Sequence, residues 1–157
     1  MKDAPQEIRT FFITSVANGR QPLFKKEEMA RLFLNVLQDY RSQGRFLLHE
    51  FVVMPDHFHL ILTPAADVSL EKAGQYIKGG FSFRAKKELA FRFLVWQEKG
   101  FTNHRIRDAE DYQRHREYIH HNPVKAGLAK IPSEYPYSSA FPGMELDPAP
   151  PGLKPVF

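Results

Sequence analysis

Cysteine is absent from the 157 residues, which excludes disulfides and thiolate metal sites and leaves His, carboxylate and amide groups as possible metal ligands. Long apolar runs are missing too. Nothing approaches the ~18 residues of a membrane-spanning helix, and Met1-Lys2-Asp3-Ala4-Pro5 lacks the apolar segment of a secretory signal. The expectation is a cytoplasmic protein with no membrane partner. No internal repeat is visible. Charge of one sign is in short supply: 22 Lys and Arg against 18 Asp and Glu give a formal +4, compatible with a polyanionic partner but too small to require one. What the chain does hold is 43% hydrophobic residues, among them 14 Phe and 6 Tyr, more apolar surface than a disordered chain carries. At this length that builds one core rather than two.

The most informative stretch is Val52-Val53-Met54-Pro55-Asp56-His57-Phe58-His59-Leu60-Ile61-Leu62. Side chains of a β-strand alternate faces, so His57 and His59 point the same way and Phe58 the other. Two imidazoles so placed are close enough to share one divalent ion, and the apolar flanks fix the strand inside a sheet. Core histidines bonded to backbone are the plainer alternative, and these residues alone leave both open.

Residues 9–16 are β-branched and aromatic and end at Asn18-Gly19, a strand closed by turn chemistry. Over residues 25–40, Met29, Leu32, Phe33, Val36, Leu37 and Tyr40 recur at three and four, the stripe of a helix lying on a sheet, and Gly44 closes it. Residues 45–54 and 57–63 read as an antiparallel hairpin joined at Pro55-Asp56. A two-residue connection sets His57 opposite Met54 and His59 opposite Val52. Glu50 then falls further along the same face, as a carboxylate supporting the metal ligands or as a solvated strand residue.

Ser69 caps a second helix that runs to about Leu89 with a break expected at Gly79-Gly80. Around that break Lys78, Arg84, Lys86 and Lys87 mix with Phe81 and Phe83. This suits phosphate contacts and stacked bases, or equally a kinked helix with a solvated basic face. Residues 91–96 form the next strand candidate and 97–101 a loop. Asp108 caps a last helix from Ala109 to about His121, ended by Pro123. From Pro142 the chain is Pro-rich and extended. The order strand, helix, strand, strand, helix, strand, helix predicts an α+β, ferredoxin-like (split βαβ) fold. Its antiparallel sheet carries helices on one face, with an additional C-terminal catalytic helix; residues 1–141 make one domain and 142–157 a tail.

Within the last helix Tyr118 and Asn122 are four residues apart and His115 lies three before Tyr118, so the three share a face. Such a helix, set against a two-histidine strand, completes a metal site with a nucleophile beside it; the weak point is Asn122, whose backbone Pro123 is expected to pull out of helical geometry. A phenol with an ordinary pKa of about 10 is a poor nucleophile, whereas a divalent ion on the electrophile's oxygens stabilises charge as a bond to phosphorus forms. The set points to phosphoryl transfer to tyrosine. Without the histidines, Tyr118 reads as a packed or rim aromatic.

His57-Phe58-His59 preceded by Met54-Pro55, then Trp96-Gln97 with Gly100-Phe101, Ile106-Arg107-Asp108, Tyr118-Ile119, Asn122-Pro123-Val124-Lys125-Ala126-Gly127-Leu128 and Tyr135-Pro136-Tyr137-Ser138-Ser139 follow one another in order. In these motifs and their spacing the chain closely resembles the REP-associated tyrosine transposases, relatives of the single-tyrosine insertion-sequence transposases in the HUH nuclease superfamily. The resemblance implies a ferredoxin-like nuclease that cuts single-stranded DNA at hairpins, forms a 5′-phosphotyrosine bond and releases a 3′-OH. It implies His57 and His59 as the metal pair, Asn122 as the third ligand and Tyr118 as the nucleophile; His115, by its helix face, and Glu50, by its strand register, are the candidates for supporting these groups. The ion expected is Mg²⁺ or Mn²⁺, and two imidazoles favour Mn²⁺ on ligand type. Arg105 and Arg107 join Lys78, Arg84, Lys86 and Lys87 as candidate DNA contacts. Hairpin DNA of the nucleoid is the expected partner, with no obligatory protein partner evident. The rival functions are a hairpin-binding regulator that no longer cleaves and a metal-dependent hydrolase of small phosphoesters.

Overall fold

Four strands build one antiparallel sheet: β1 (Thr10–Val16), β2 (Phe46–Met54), β3 (His57–Pro64) and β4 (Thr102–Ile106), in spatial order β2-β3-β1-β4. Among the described residues three α-helices accompany it, α1 (Glu27–Ser42), α2 (Leu70–Leu89) and α3 (Ala109–Lys125). The chain is described here from a computed structural model over residues 8–98, 100–150 and 152–154. Residues 1–5, read above for a signal segment, and Pro151 and Pro155 of the tail lie outside the described residues. The order and pairing are those of the ferredoxin-like fold expected from the sequence.

Alternation along the strands sorts the core into two layers. Ile13, Leu48, Val53, Phe58, Leu60 and Leu62 face α1 and α2 and join Phe33, Leu37, Ile77 and Phe81 in the main core. Val52, Met54, Ile61 and Ile106 face the other way, and Ile119 of α3 and Tyr135 close over them. The additional helix thus covers the face that a bare ferredoxin-like sheet leaves open. The hairpin register is the expected one, with Met54 opposite His57 and Val52 opposite His59; an irregularity at His49 lies between Leu48 and Glu50.

Local chemistry explains most boundaries. Glu27 and Glu28 complement the dipole at the start of α1, and Gly44 takes the left-handed conformation after it, with φ 77°. The Ser69 hydroxyl accepts from the Lys72 amide at 3.0 Å, and the Asp108 carboxylate accepts from the Asp111 amide at 2.7 Å.

Three expectations are corrected. First, α2 does not break at Gly79-Gly80 but runs unbroken to Leu89. Gly80 is small because the Tyr40 ring lies against it, and Gly74 because the Phe101 ring does. Second, residues 91–96 are not the fourth strand. Val95 and Trp96 plug the main core: the indole packs tilted or edge-on among Phe24, Phe33, Phe58 and Phe81, and its N–H donates to the Lys78 carbonyl at 2.9 Å. Trp96 makes one isolated bridge, to Ala17. The fourth strand is the polar segment Thr102-Asn103-His104-Arg105-Ile106 that follows. Third, α3 does not stop at His121 but carries Pro123 inside it. Asn122 stays helical because the amides of Ala126 and Leu128 bond the carbonyls of Asn122 and Pro123 at 3.0 and 2.8 Å.

After α3 the chain returns along β2. The Val53 amide donates to Tyr137 and the Ser139 amide to Phe51, at 2.8 and 2.9 Å. The described part of the tail has no helix or strand, and it is pinned at its start. Arg41 grips Asp147 through two nitrogens at 3.0 and 3.1 Å, the Leu48 amide donates to the same carboxylate at 2.7 Å, and the His49 ring bonds the Pro148 carbonyl at 2.7 Å.

Candidate active site

The His57-Phe58-His59 alternation does what the pleat requires: Phe58 is buried in the main core, and both imidazoles face α3 with ring centroids 4.8 Å apart. Each ring is held from behind through Nδ1, by the Asp56 carboxylate at 2.6 Å for His57 and by the Thr14 hydroxyl of β1 at 2.7 Å for His59. A carboxylate only accepts, so the His57 Nδ1 carries the proton and its Nε2 offers a lone pair when the ring is neutral. Burial of Asp56 works to raise its pKa, but the bonds from His57 and Arg20 outweigh this and hold it below the usual Asp value.

His59 is more confined. It is 5% exposed, Phe12 stacks on it at 5.2 Å, and its Nε2 is buried without a hydrogen-bond partner among the described residues. Such an orphaned nitrogen costs stability unless something fills its valence. Burial, helped by the neighbouring His57, pushes its pKa down to about 3, so the ring is neutral at physiological pH and able to bind a metal. The donor set therefore fits a divalent ion on the two Nε2 atoms.

Tyr118 completes the group from α3. Its ring meets His59 edge-on at 5.2 Å and Phe12 at 6.0 Å, and the residue is 51% exposed. Two other tyrosines near this face are harder to ionise. The Tyr135 hydroxyl donates to the Val53 carbonyl at 2.6 Å, and burial pushes the phenols of Tyr112 and Tyr135 up to about 12. Asn122, half-buried, continues the Tyr118 face by one turn. His115 shares that face but turns to its own helix: its Nδ1 bonds the Asp111 carbonyl at 2.8 Å, and its ring touches Phe12 at 4.7 Å.

Glu50 lies on the expected face, and its carboxylate is engaged with α3 and the returning chain. It accepts from the His120 Nε2 at 2.6 Å and the Ser139 hydroxyl at 2.7 Å, with Arg116 at 3.5 Å. A buried carboxylate so bonded fixes the rotation of α3 on the sheet, and with it the direction of Tyr118. His120 follows Tyr118 by two, so the faces that reach Glu50 and His59 diverge around the helix as the 3.6 period demands.

The proposed DNA cations are less gathered. Lys78, Arg84, Lys86 and Lys87 lie on α2, across the sheet from the histidines. Arg84 is engaged by Glu88 and Asp39 at 2.6 and 2.7 Å, and Lys78 donates to the Gly100 carbonyl at 2.9 Å. Lys86 and Lys87 are exposed. Arg105 is half-buried on β4, and Arg107 is exposed just beyond its end. Sequence reading missed Phe12, Thr14, Asp56, His104, Asp111 and His120. Asp56 beside His57, and Asp111 four before His115, were the signals available for two of them; Phe12, Thr14 and His104 depend on strand pairing and His120 on the packing of α3 against the sheet.

Residues 10–122 match the family described as "Transposase IS200 like". Over 130 residues the chain is 29% identical to the REP-associated tyrosine transposase of Escherichia coli K12, spanning 82% of this chain and 74% of that protein. A relative from Haemophilus influenzae is 34% identical over 97 residues, 55% of this chain and 54% of its own. Among solved structures, a REP-associated tyrosine transposase bound to a REP hairpin superposes with TM-score 0.65 at 29% identity, over 88% of this chain and 82% of that one. A crystal structure of a Deinococcus radiodurans protein, TM-score 0.54 at 18% identity over 76% and 95% of the two chains, shares the fold. The antiparallel sheet, its paired histidines and these likenesses agree: the chain belongs to the IS200-like transposase family, and its resemblance is to the REP-associated tyrosine transposases within it.

Proposed function

We propose that this transposase is a metal-dependent endonuclease and strand transferase that cuts single-stranded DNA beside a hairpin through Tyr118. The observation that carries the reading is a half-exposed tyrosine edge-on to His59, whose Nε2 is buried with no hydrogen-bond partner among the described residues. The hairpin bound by the structurally similar transposase supports DNA of that shape as the substrate.

His57 and His59 would hold the ion through Nε2, with Asn122 supplying an amide oxygen as the third protein ligand. A divalent ion bound there supplies Lewis-acid stabilisation of the charge that develops on the phosphate oxygens. The chain's own groups do the rest. Asp56 and Thr14 orient the two rings, Phe12 excludes water from one face of His59, and Glu50 with His120 sets the rotation of α3. The Tyr118 oxygen attacks phosphorus and gives up its proton, the bond from phosphorus to the 3′ oxygen breaks, and that oxygen takes up a proton. The products are a 5′-phosphotyrosine and a free 3′-OH. Attack of a 3′-OH on the same ester restores the phosphodiester without ATP, because the ester conserves the bond energy.

The experiment is cleavage of a labelled hairpin oligonucleotide with added Mn²⁺ or Mg²⁺ by wild type, His57→Ala and His59→Ala. Cutting should vanish in both variants and in wild type with chelator, while near-native melting shows that the fold is kept. Full activity of the double histidine variant in chelator would defeat the metal assignment.

A further inference from the structure

A second set of metal-binding side chains stands beside the site just described. His104 on β4 and Asp111 and His115 in the first two turns of α3 each offer one ligand atom, and the three atoms lie within 4.8 Å of one another. The fold places them. His104 pairs with Phe12 of β1, which puts it on the α3 face of the sheet, and Asp111 and His115 are four apart on one side of the helix. The His104 Nε2 is 2.6 Å from one Asp111 oxygen, the His115 Nδ1 is 3.2 Å from the other, and the two imidazoles stack at 4.8 Å.

The donors differ in access as metal ligands do. The Asp111 and His115 side chains are 14% and 23% exposed, while that of His104 is 52% exposed and leaves one side open to water or a ligand. Burial works to raise the pKa of Asp111, but hydrogen bonds from His104 and Arg114 outweigh it and keep the carboxylate ionised. His57 and His59 take no part in this cluster; the Phe12 ring contacts both His59 and His115.

We propose that His104, Asp111 and His115 form a second metal site, for a borderline divalent transition ion such as Zn²⁺ or Co²⁺. Two imidazoles and one carboxylate, with an open fourth position, suit those ions, whereas Mg²⁺ prefers oxygen ligands in an octahedron. Binding through the His115 Nδ1 exchanges its 2.8 Å contact with the Asp111 carbonyl for a metal bond. An ion there ties the edge strand β4 to α3 one turn before Tyr118, and so steadies the helix that carries it.

Titration with Co²⁺ tests this without reference to cleavage. In a His57→Ala/His59→Ala background the chain should bind one Co²⁺, give visible d–d absorption, melt at a higher temperature with the ion, and release it to Zn²⁺ but not to excess Mg²⁺. Adding His104→Ala or Asp111→Asn should abolish the absorption and the melting shift. Losing one ligand of three should weaken binding by more than the roughly 10- to 100-fold that loss of an outer partner costs. If the background fails to fold, the same two substitutions in wild type should lower the Co²⁺ stoichiometry from two to one. A background variant that binds no Co²⁺, or absorption that survives both substitutions, overturns the proposal.

Discussion

Gly74, Gly79 and Gly80 lie in one continuous helix, yet a methyl group added at each meets a different environment. Replacing Gly by Ala in a helix interior gains up to about 1 kcal/mol of propensity. At Gly79 nothing lies within 4 Å of the new Cβ, so Gly79→Ala should keep ~0.5–1 kcal/mol of that gain, roughly 1–4 °C in Tm for a chain of this size. At Gly80 the Cβ would stand 2.8 Å from the Cε2 and hydroxyl of Tyr40, the outer end of a half-exposed ring that can turn aside, so gain and loss should nearly cancel. At Gly74 it would overlap the Phe101 ring. Overpacking costs about 1–3 kcal/mol, more than the propensity returns, so Gly74→Ala should lower Tm. Phe101→Ala should then restore the gain in a double-mutant cycle. Calorimetric melting of the three variants gives the order Gly79→Ala, Gly80→Ala, Gly74→Ala from most to least stable. A loss of more than about 1 kcal/mol at Gly79, the size of the propensity term itself, would mean the helix is broken there after all. A gain at Gly74 would mean Phe101 does not pack on it.

Removing Lys86 and Lys87 together should lower the salt slope of hairpin binding by about 1.5, at roughly 0.7–0.9 per lost phosphate contact. Arg84→Ala should change that slope less, since Asp39 and Glu88 already occupy the guanidinium; an unchanged slope in the double variant would remove α2 from the DNA surface. Asp147 makes stability pH-dependent in a defined window. Burial pushes its carboxyl up, but Arg41 and the Leu48 amide hold it below the ordinary 3.8, so the unfolded chain binds the proton more readily. Its contribution is therefore complete above that ordinary value and is lost as pH falls from there through the lower value of the folded chain. Asp147→Asn should cost about 1–3 kcal/mol at neutral pH and flatten the decline below pH ~4, read by denaturant melts across that range. Parallel declines in the two proteins would show that the Arg41 pair does not govern acid stability.

Strongly patterned segments were legible in the sequence. The three-and-four stripe of α1 and the alternation around His57 and His59 are direct consequences of burial, and each element formed where its pattern placed it. Misreadings arose where apolar residues serve purposes other than strand or helix faces. Val95 and Trp96 look like strand residues because they fill the main core, whereas β4 is a polar edge whose evidence is its pairing with β1. Gly79-Gly80 looked like a hinge because a glycine lying against a ring, as Gly80 lies against Tyr40, or in open space, as Gly79 does, has the same letter as one that frees the backbone. Pro123 looked like a terminus because the two further bonds that carry the helix past it are invisible in composition. At the site, the face shared by Tyr118 and Asn122 follows from helical spacing. The supports from Phe12, Thr14 and His120 follow from strand pairing and from the packing of α3 on the sheet, which no local pattern encodes.

The claim that Tyr118 is the nucleophile is tested most directly by locating the covalent bond. Wild-type protein mixed with a single-stranded hairpin substrate and Mn²⁺ should give a denaturant-resistant adduct, and mass spectrometry after proteolysis should find the phosphate on Tyr118. Tyr118→Phe, which keeps the ring against His59 and Phe12, should bind the hairpin about as well as wild type and form no adduct. An adduct on Tyr112 or Tyr135, cutting by Tyr118→Phe, or a cut strand with no adduct at all would contradict the account.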